Sequence, residues 1–302
     1  MKHTLKITFI LIFLFLIAQI FGLFLINSSI EISKTNETKV ELTHKDTLVG
    51  ERPDFTPLET FIFLSVAVLI GTLIALIIIK LKLKLVWNLW FFMAVFLATS
   101  ISLNVLFKPT IAFIIAFIVT LLKFKKPNLI THNLSEMFIY PGIAIILIPI
   151  SNLFWTSITL LFFSLYDMYA VWMSKHMIKL AEFQTENNKF AGLIINYKRN
   201  KKIKKNKPRT IKNEHKTAIL GGGDIFLPLL FEGVFMEFLI KNLYLSKFVS
   251  FYFTLIVVLF STLALTFLFY ISKKNKFYPA MPFITFGCFT GAIISYLIIH
   301  CL

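Results

Sequence analysis

The sequence predicts an all-α membrane protein with nine transmembrane helices, on three observations. Hydrophobic residues make up 57% of the 302 residues and charged ones only 15%, more apolar side chain than a water-soluble domain can bury. The apolar residues fall into nine windows long enough, or nearly so, to cross a bilayer. Between the windows, lysines and arginines cluster on alternate connections, as the positive-inside rule expects. The 35 phenylalanines are spread over the spans and read as lipid-facing or packing bulk.

Span one, 5–27, follows Lys2 and Lys6 and ends in FLINSS with no small-residue cleavage site, so it reads as an uncleaved first helix. The 28–59 connection holds 7 acids against 4 bases. Two glycosylation sequons, Asn27-Ser28-Ser29 and Asn36-Glu37-Thr38, fit the same outer side. Spans two and three, 60–79 and 86–107, flank Lys80, Lys82 and Lys84. Span four, 110–124, is only 15 residues between Lys108-Pro109 and the Lys123, Lys125, Lys126 cluster, which predicts a short helix. Spans five and six, 132–151 and 153–173, divide at Pro149 to Asn152. Spans seven to nine cover 217–240, 247–270 and 278–301, with Lys273, Lys274 and Lys276 before the last.

The chain thus divides into helices one to six over 1–173, a basic loop over 174–216, and helices seven to nine over 217–302. The loop carries 13 Lys or Arg against 3 Glu, which places it in the cytoplasm, with the N-terminus inside and the C-terminus outside. Its first residues, SKHMIKLAEF, have helical apolar spacing and are expected along the membrane surface. FAGLIINY, Phe190 to Tyr197, docks on the bundle or lies near a gate. The rest of 185–215 is expected to be mobile, with KRNKKIKKNKPR in reach of anionic headgroups of the lipid bilayer. The net charge of +16 does not indicate a nucleic-acid partner, because the lysines are dispersed between apolar runs rather than gathered on one surface. Cys288 and Cys301 have no metal-ligand spacing around them, so neither a metal nor a cofactor is expected. No internal repeat is evident, which counts against transporters built from two similar halves.

Two acids stand inside spans: Asp167 in SLYDMYAVW and Asp224 in GGGDIFLP. An intramembrane carboxylate costs at least ~2.5 kcal/mol and rarely persists without a task. Each lies eight residues from a lysine, Lys175 or Lys216, so on antiparallel helices both would sit ~12 Å from the cytoplasmic edge. Two carboxylates at close range cannot both ionise easily and share a proton, so one acts as base towards water and the other as acid towards a peptide carbonyl. Gly221, Gly222 and Gly223 remove side chains where backbones approach or the helix loosens. Pro279 and Pro282, flanking Ala280 and Met281, break the start of span nine and leave free main chain to hold an extended segment. Tyr166 reads as packing and gating beside Asp167. Glu237 reads as a surface partner of Lys241, and Glu232 as a polar tether between helices.

The YD pair in span six, GGGD in span seven and Pro279-Ala280-Met281 opening span nine resemble the three signatures of the GxGD intramembrane aspartyl proteases, the presenilin and signal peptide peptidase family. Met281 stands where that family has Leu. The resemblance implies a presenilin-like nine-helix bundle, of archaeal type, with Asp167 and Asp224 catalytic. It also implies substrate binding or support from Tyr166, Gly221, Gly222, Gly223, Pro279, Ala280, Met281 and Pro282. It further implies transmembrane or signal-peptide-like protein substrates, an N-terminus-in orientation shared with the presenilin branch, and leaves oligomerisation open. The competing reading is a proton- or cation-coupled transporter or leak channel using Asp167, Asp224 and Glu232.

Overall fold

The structure, a computed structural model, describes residues 5–34, 40–46, 50, 53–125, 128–174, 177, 180, 190–198, 215–273 and 277–301. Nine α-helices of 16 to 25 residues appear among them: α1 (Leu5–Ser29), α2 (Pro57–Lys80), α3 (Lys84–Asn104), α4 (Pro109–Lys125), α5 (Leu129–Leu147), α6 (Leu153–Met168), α7 (Gly223–Asn242), α8 (Lys247–Ile271) and α9 (Met281–Cys301). Each matches one expected span. Seven spans are long and apolar enough to cross a membrane. The other two depart for opposite reasons: α4 has only 17 residues, and α7 carries Asp224, Glu232, Glu237 and Lys241 within 20.

Local signals set the helix ends. Thr56 and Glu59 form a reciprocal cap before α2, with the Thr56 amide 2.7 Å from Glu59 Oε2 and the Glu59 amide 3.3 Å from Thr56 Oγ1, and Pro57 follows at the first helical position. Asn152 Oδ1 accepts from the Trp155 amide at 2.8 Å and starts α6, while Ser246 Oγ does the same for Val249 at 3.3 Å in α8, as side-chain acceptors do for orphan helix amides.

The polar helix occupies the middle. Helix α7 has 15 of its 20 residues buried and touches α1, α5, α6, α8 and α9. That placement removes its acids from lipid, where they would be most costly. The periphery is α2, bordering α6 and α3, and α4, bordering α3 and α5. The most extensive pairing is α8 with α9, where Gly287 and Gly291 let the backbones close up against Phe260, Ser261 and Val257, the usual role of small residues between membrane helices.

Two hairpins were not expected. Strands β1 (Ile30–Lys34) and β2 (Val40–His44) pair antiparallel within the connection after α1. His44 bonds Glu237, Lys241 reaches the same carboxylate at 2.8 Å, and Lys247 Nζ holds the Ile30 carbonyl at 2.5 Å. Glu237 is therefore only 3% exposed and pins the hairpin, rather than lying at a free surface with Lys241. Asn27, read as a loop sequon, lies within α1; Asn36 falls outside the described residues.

Strands β3 (Gly192–Lys198) and β4 (His215–Gly221) form the second hairpin, and it corrects the expected start of span seven. Span seven becomes helical only at Gly223, so 217–221 is strand and the depth argument from Lys216 does not hold. FAGLIINY contributes β3, which packs on α5 and α1. The expected mobile stretches 185–189 and 199–214 lie outside the described residues, as does most of SKHMIKLAEF, of which Leu180 packs on the Ala75, Ile78 and Trp87 cluster.

Candidate active site

Asp167 stands in the last turn of α6, where the helix widens into a π-turn over Tyr169–Met173 closed by Ser174 N to Tyr169 O at 3.1 Å. Such widenings re-aim side chains and collect at functional sites. The carboxylate points at the start of α9. Met281 N donates to Asp167 Oδ2 at 3.1 Å, and the Ala280 amide reaches the same group. A first-turn amide has no partner in its own helix, and the positive end of the helix dipole favours an anion there. One turn deeper, Ser164 Oγ and Thr285 Oγ1 lie 2.8 Å apart and tie α6 to α9 again.

Asp224 is the second residue of α7. Its helix starts directly from β4: Gly222 N bonds Ala191 O at 3.1 Å, extending the ladder, while Gly222 O accepts Phe226 N at 2.9 Å, opening the helix. A β-carbon on Gly221 would sit 3.3 Å from Asp224 Oδ2, and one on Gly222 2.8 Å from the Tyr140 hydroxyl. Asp167 is 5% exposed and Asp224 9%, and the two are within Coulombic reach of each other.

Both carboxylates line one largely apolar cavity of about 740 Å³, shared with Gly221, Gly222, Gly223 and Ala280. The remaining expected residues fall around it. Tyr166 and Met281 pack behind, in a cluster with Phe163 and Leu227, and Tyr166 Oη bonds Thr72 Oγ1 at 3.3 Å. Pro279 is buried without lining the cavity. Pro282 faces a separate groove between α8 and α9. The proline segment is level with Asp167, because Met281 bonds that carboxylate directly.

The hairpin presents an edge to the same cavity. Gly192 and Ile194 of β3 turn their main-chain groups away from β4, since His132, Glu136 and Asn133 of α5 bond them. In an antiparallel ladder their partners, Gly221 and Ile219, must turn outward too. Both outward residues line the cavity.

Sequence reasoning missed Glu136, which also lines the cavity at 1% exposure. The signal was present: an acid within span five invites the same question as Asp167. Lys123, read as a flanking charge, is 5% exposed and pairs with it. Glu232 lies elsewhere, fully buried, with Ser261 Oγ 3.3 Å from its Oε1, and it does not line the cavity. It ties α7 to α8 as expected of a tether, and gives the transporter reading no relay.

A nine-helix membrane bundle with two buried acids lining one cavity is the arrangement expected of an intramembrane aspartyl protease. Residues 9–301 match the family model described as signal-peptide peptidase, presenilin aspartyl protease, and the chain belongs to that family. No curated protein matches it. Among the solved structures that share its fold are two with TM-scores of about 0.6. Both are of a presenilin family intramembrane aspartate protease. The crystal in space group C222 is 16% identical with a TM-score of 0.60, over 96% of this chain and 99% of that one. The crystal in P2 is 17% identical with a TM-score of 0.58, over 95% and 96%.

Proposed function

We propose that Asp167 and Asp224 are the catalytic dyad of a GxGD-type protease that hydrolyses peptide bonds of transmembrane or signal-peptide-like substrates within the bilayer. The observation that carries this reading is the convergence of two buried carboxylates, from separate helices, on one cavity. With one proton shared between them, the ionised carboxylate takes a proton from water as its oxygen attacks the scissile carbonyl. The protonated one gives its proton to the carbonyl oxygen; the proton taken from water then passes to the leaving nitrogen as the C–N bond breaks, and a hydroxyl of the tetrahedral adduct returns its proton to the other carboxylate, restoring the dyad. The Met281 amide, donating to Asp167 at 3.1 Å, supports Asp167 as the member that holds the negative charge.

A peptide must be extended to be cut, and the outward groups of Ile219 and Gly221 suit addition of a substrate strand along β4. That strand would run past Gly223 towards Asp224. The lysine distribution supports a cytoplasmic basic loop over 174–216, an N-terminus inside and a C-terminus outside. The test is cleavage of a model transmembrane peptide by purified protein. Asp167→Asn and Asp224→Asn are each expected to abolish turnover while the melting temperature stays near wild type, because neither carboxyl can fill both roles. Near-wild-type cleavage by either variant would sink the dyad.

A further inference from the structure

Gly221 ends β4, and only Gly222 and Gly223 join it to Asp224, a soft joint that cannot by itself fix how the strand lies relative to the carboxylate. Something else must hold the hairpin. Its β3 edge is held by α5 as a third strand would hold it: Asn133 donates to Ile194 O at 2.9 Å and accepts from Ile194 N at 3.0 Å. His132 bonds Gly192 O at 2.8 Å, and Glu136 Oε2 accepts Gly192 N at 3.0 Å. Gly192 has φ +141°, and a β-carbon there would run into the Leu220 carbonyl, so this residue is fixed from both sides.

Glu136 does more than hold β3. The same oxygen accepts from the Tyr140 hydroxyl, and Tyr140 is the ring against which Gly222 turns. The other oxygen binds the Lys123 ammonium at the end of α4, which lies over the Phe91 ring of α3. One buried carboxylate therefore sets the strand before Asp224, the turn into it, and the anchorage of both to α3 and α4.

We infer that Glu136, acting through Tyr140 and Gly192, is a positioning residue for the dyad: it fixes the placement of β4 against Asp224, and with it the peptide bond of a docked strand that reaches the carboxylates. This rests on the dyad reading. The test uses full-length protein in lipid nanodiscs and a transmembrane peptide that wild type cleaves, with products identified by mass spectrometry. Glu136→Gln alone strands the Lys123 ammonium, so the double variant Lys123→Met with Glu136→Gln is compared with Tyr140→Phe, which keeps the ring and loses one bond. Both are expected to lower kcat by at least about tenfold with little change in KM, since a misplacement of about 1 Å can cost about a hundredfold. Both should also spread cleavage onto neighbouring peptide bonds. Unchanged rate and products in both variants overturn the inference. So does a lower rate with unchanged products that tracks the loss of melting temperature, the signature of a brace only. If the double variant does not fold, Tyr140→Phe decides by the same two readouts. Failure of the dyad itself would be seen separately, as cleavage by Asp167→Asn or Asp224→Asn.

Discussion

A β-carbon on Gly222 would lie 2.8 Å from the Tyr140 hydroxyl and 3.0 Å from its ring, whereas one on Gly223 meets nothing within 4 Å. The motif reading treats the glycines alike; the packing separates them. Gly222→Ala should lower stability by ~1–3 kcal/mol, the usual cost of overpacking, with loss of cleavage. Gly223→Ala should leave the melting temperature unchanged or slightly raised, since Ala favours helix over Gly by ~0.5–1 kcal/mol. Its new methyl would stand in the cavity beside Asp224, so bulky residues in the substrate should be cut more slowly. Thermal melts and kcat/KM on peptides of graded size check both, and the reverse ranking would refute this account of the turn. The two acids were legible at this scale because a carboxylate in an apolar run is conspicuous. Glu136 was equally conspicuous, but its partner Lys123 looked like an ordinary flanking charge.

Helix α9 begins at Met281, and its first-turn amide goes to Asp167 rather than to a carbonyl of its own helix. Replacing both Pro279 and Pro282 by Ala would let the helix start earlier and draw that amide into an intrahelical bond. Turnover should fall at least about tenfold, as expected when a positioned donor to a reacting charge is lost, with little change in thermal stability. Equal turnover would leave the prolines as punctuation only. The spans themselves were legible to within a few residues, since each is a long apolar run bounded by charge or proline. The β3–β4 hairpin was not. The apolar residues Ala218 to Leu220 run almost unbroken into α7, and periodicity cannot tell a short buried strand from the first turn of a helix. Only Gly221 to Gly223 mark the change. The partner strand ends at Lys198, far back in the chain, with Lys198 opposite His215 and Gly192 opposite Gly221, a pairing that no local pattern announces.

For the molecule as a whole, the charge pattern commits the basic loop to one side. In sealed vesicles, trypsin added to the cytoplasmic face is expected to cut first between Lys198 and Lys216, and trypsin confined to the opposite face should spare that segment. Cleavage from the outer face would reverse the proposed orientation. The bundle keeps its polar residues central: α7 carries acids that no lipid-facing helix could hold, and its neighbours supply the partners. The apolar pattern reveals how many helices there are, but the choice of α7 as the central one follows from those acids.

The buried Lys123 and Glu136 pair belongs to two consecutive helices and is separated by 13 residues of chain. Neither charge is tolerable in hydrocarbon alone, and breaking such a pair costs far more than losing its attraction. The short α4, with 17 residues, also gains little from lipid by itself. During synthesis, then, α4 and α5 are best delivered to the membrane as one helical hairpin, each neutralising the other on entry. The contact that holds the strand before Asp224 uses only α4 and α5, and so needs neither β3, β4 nor Asp224 in order to form.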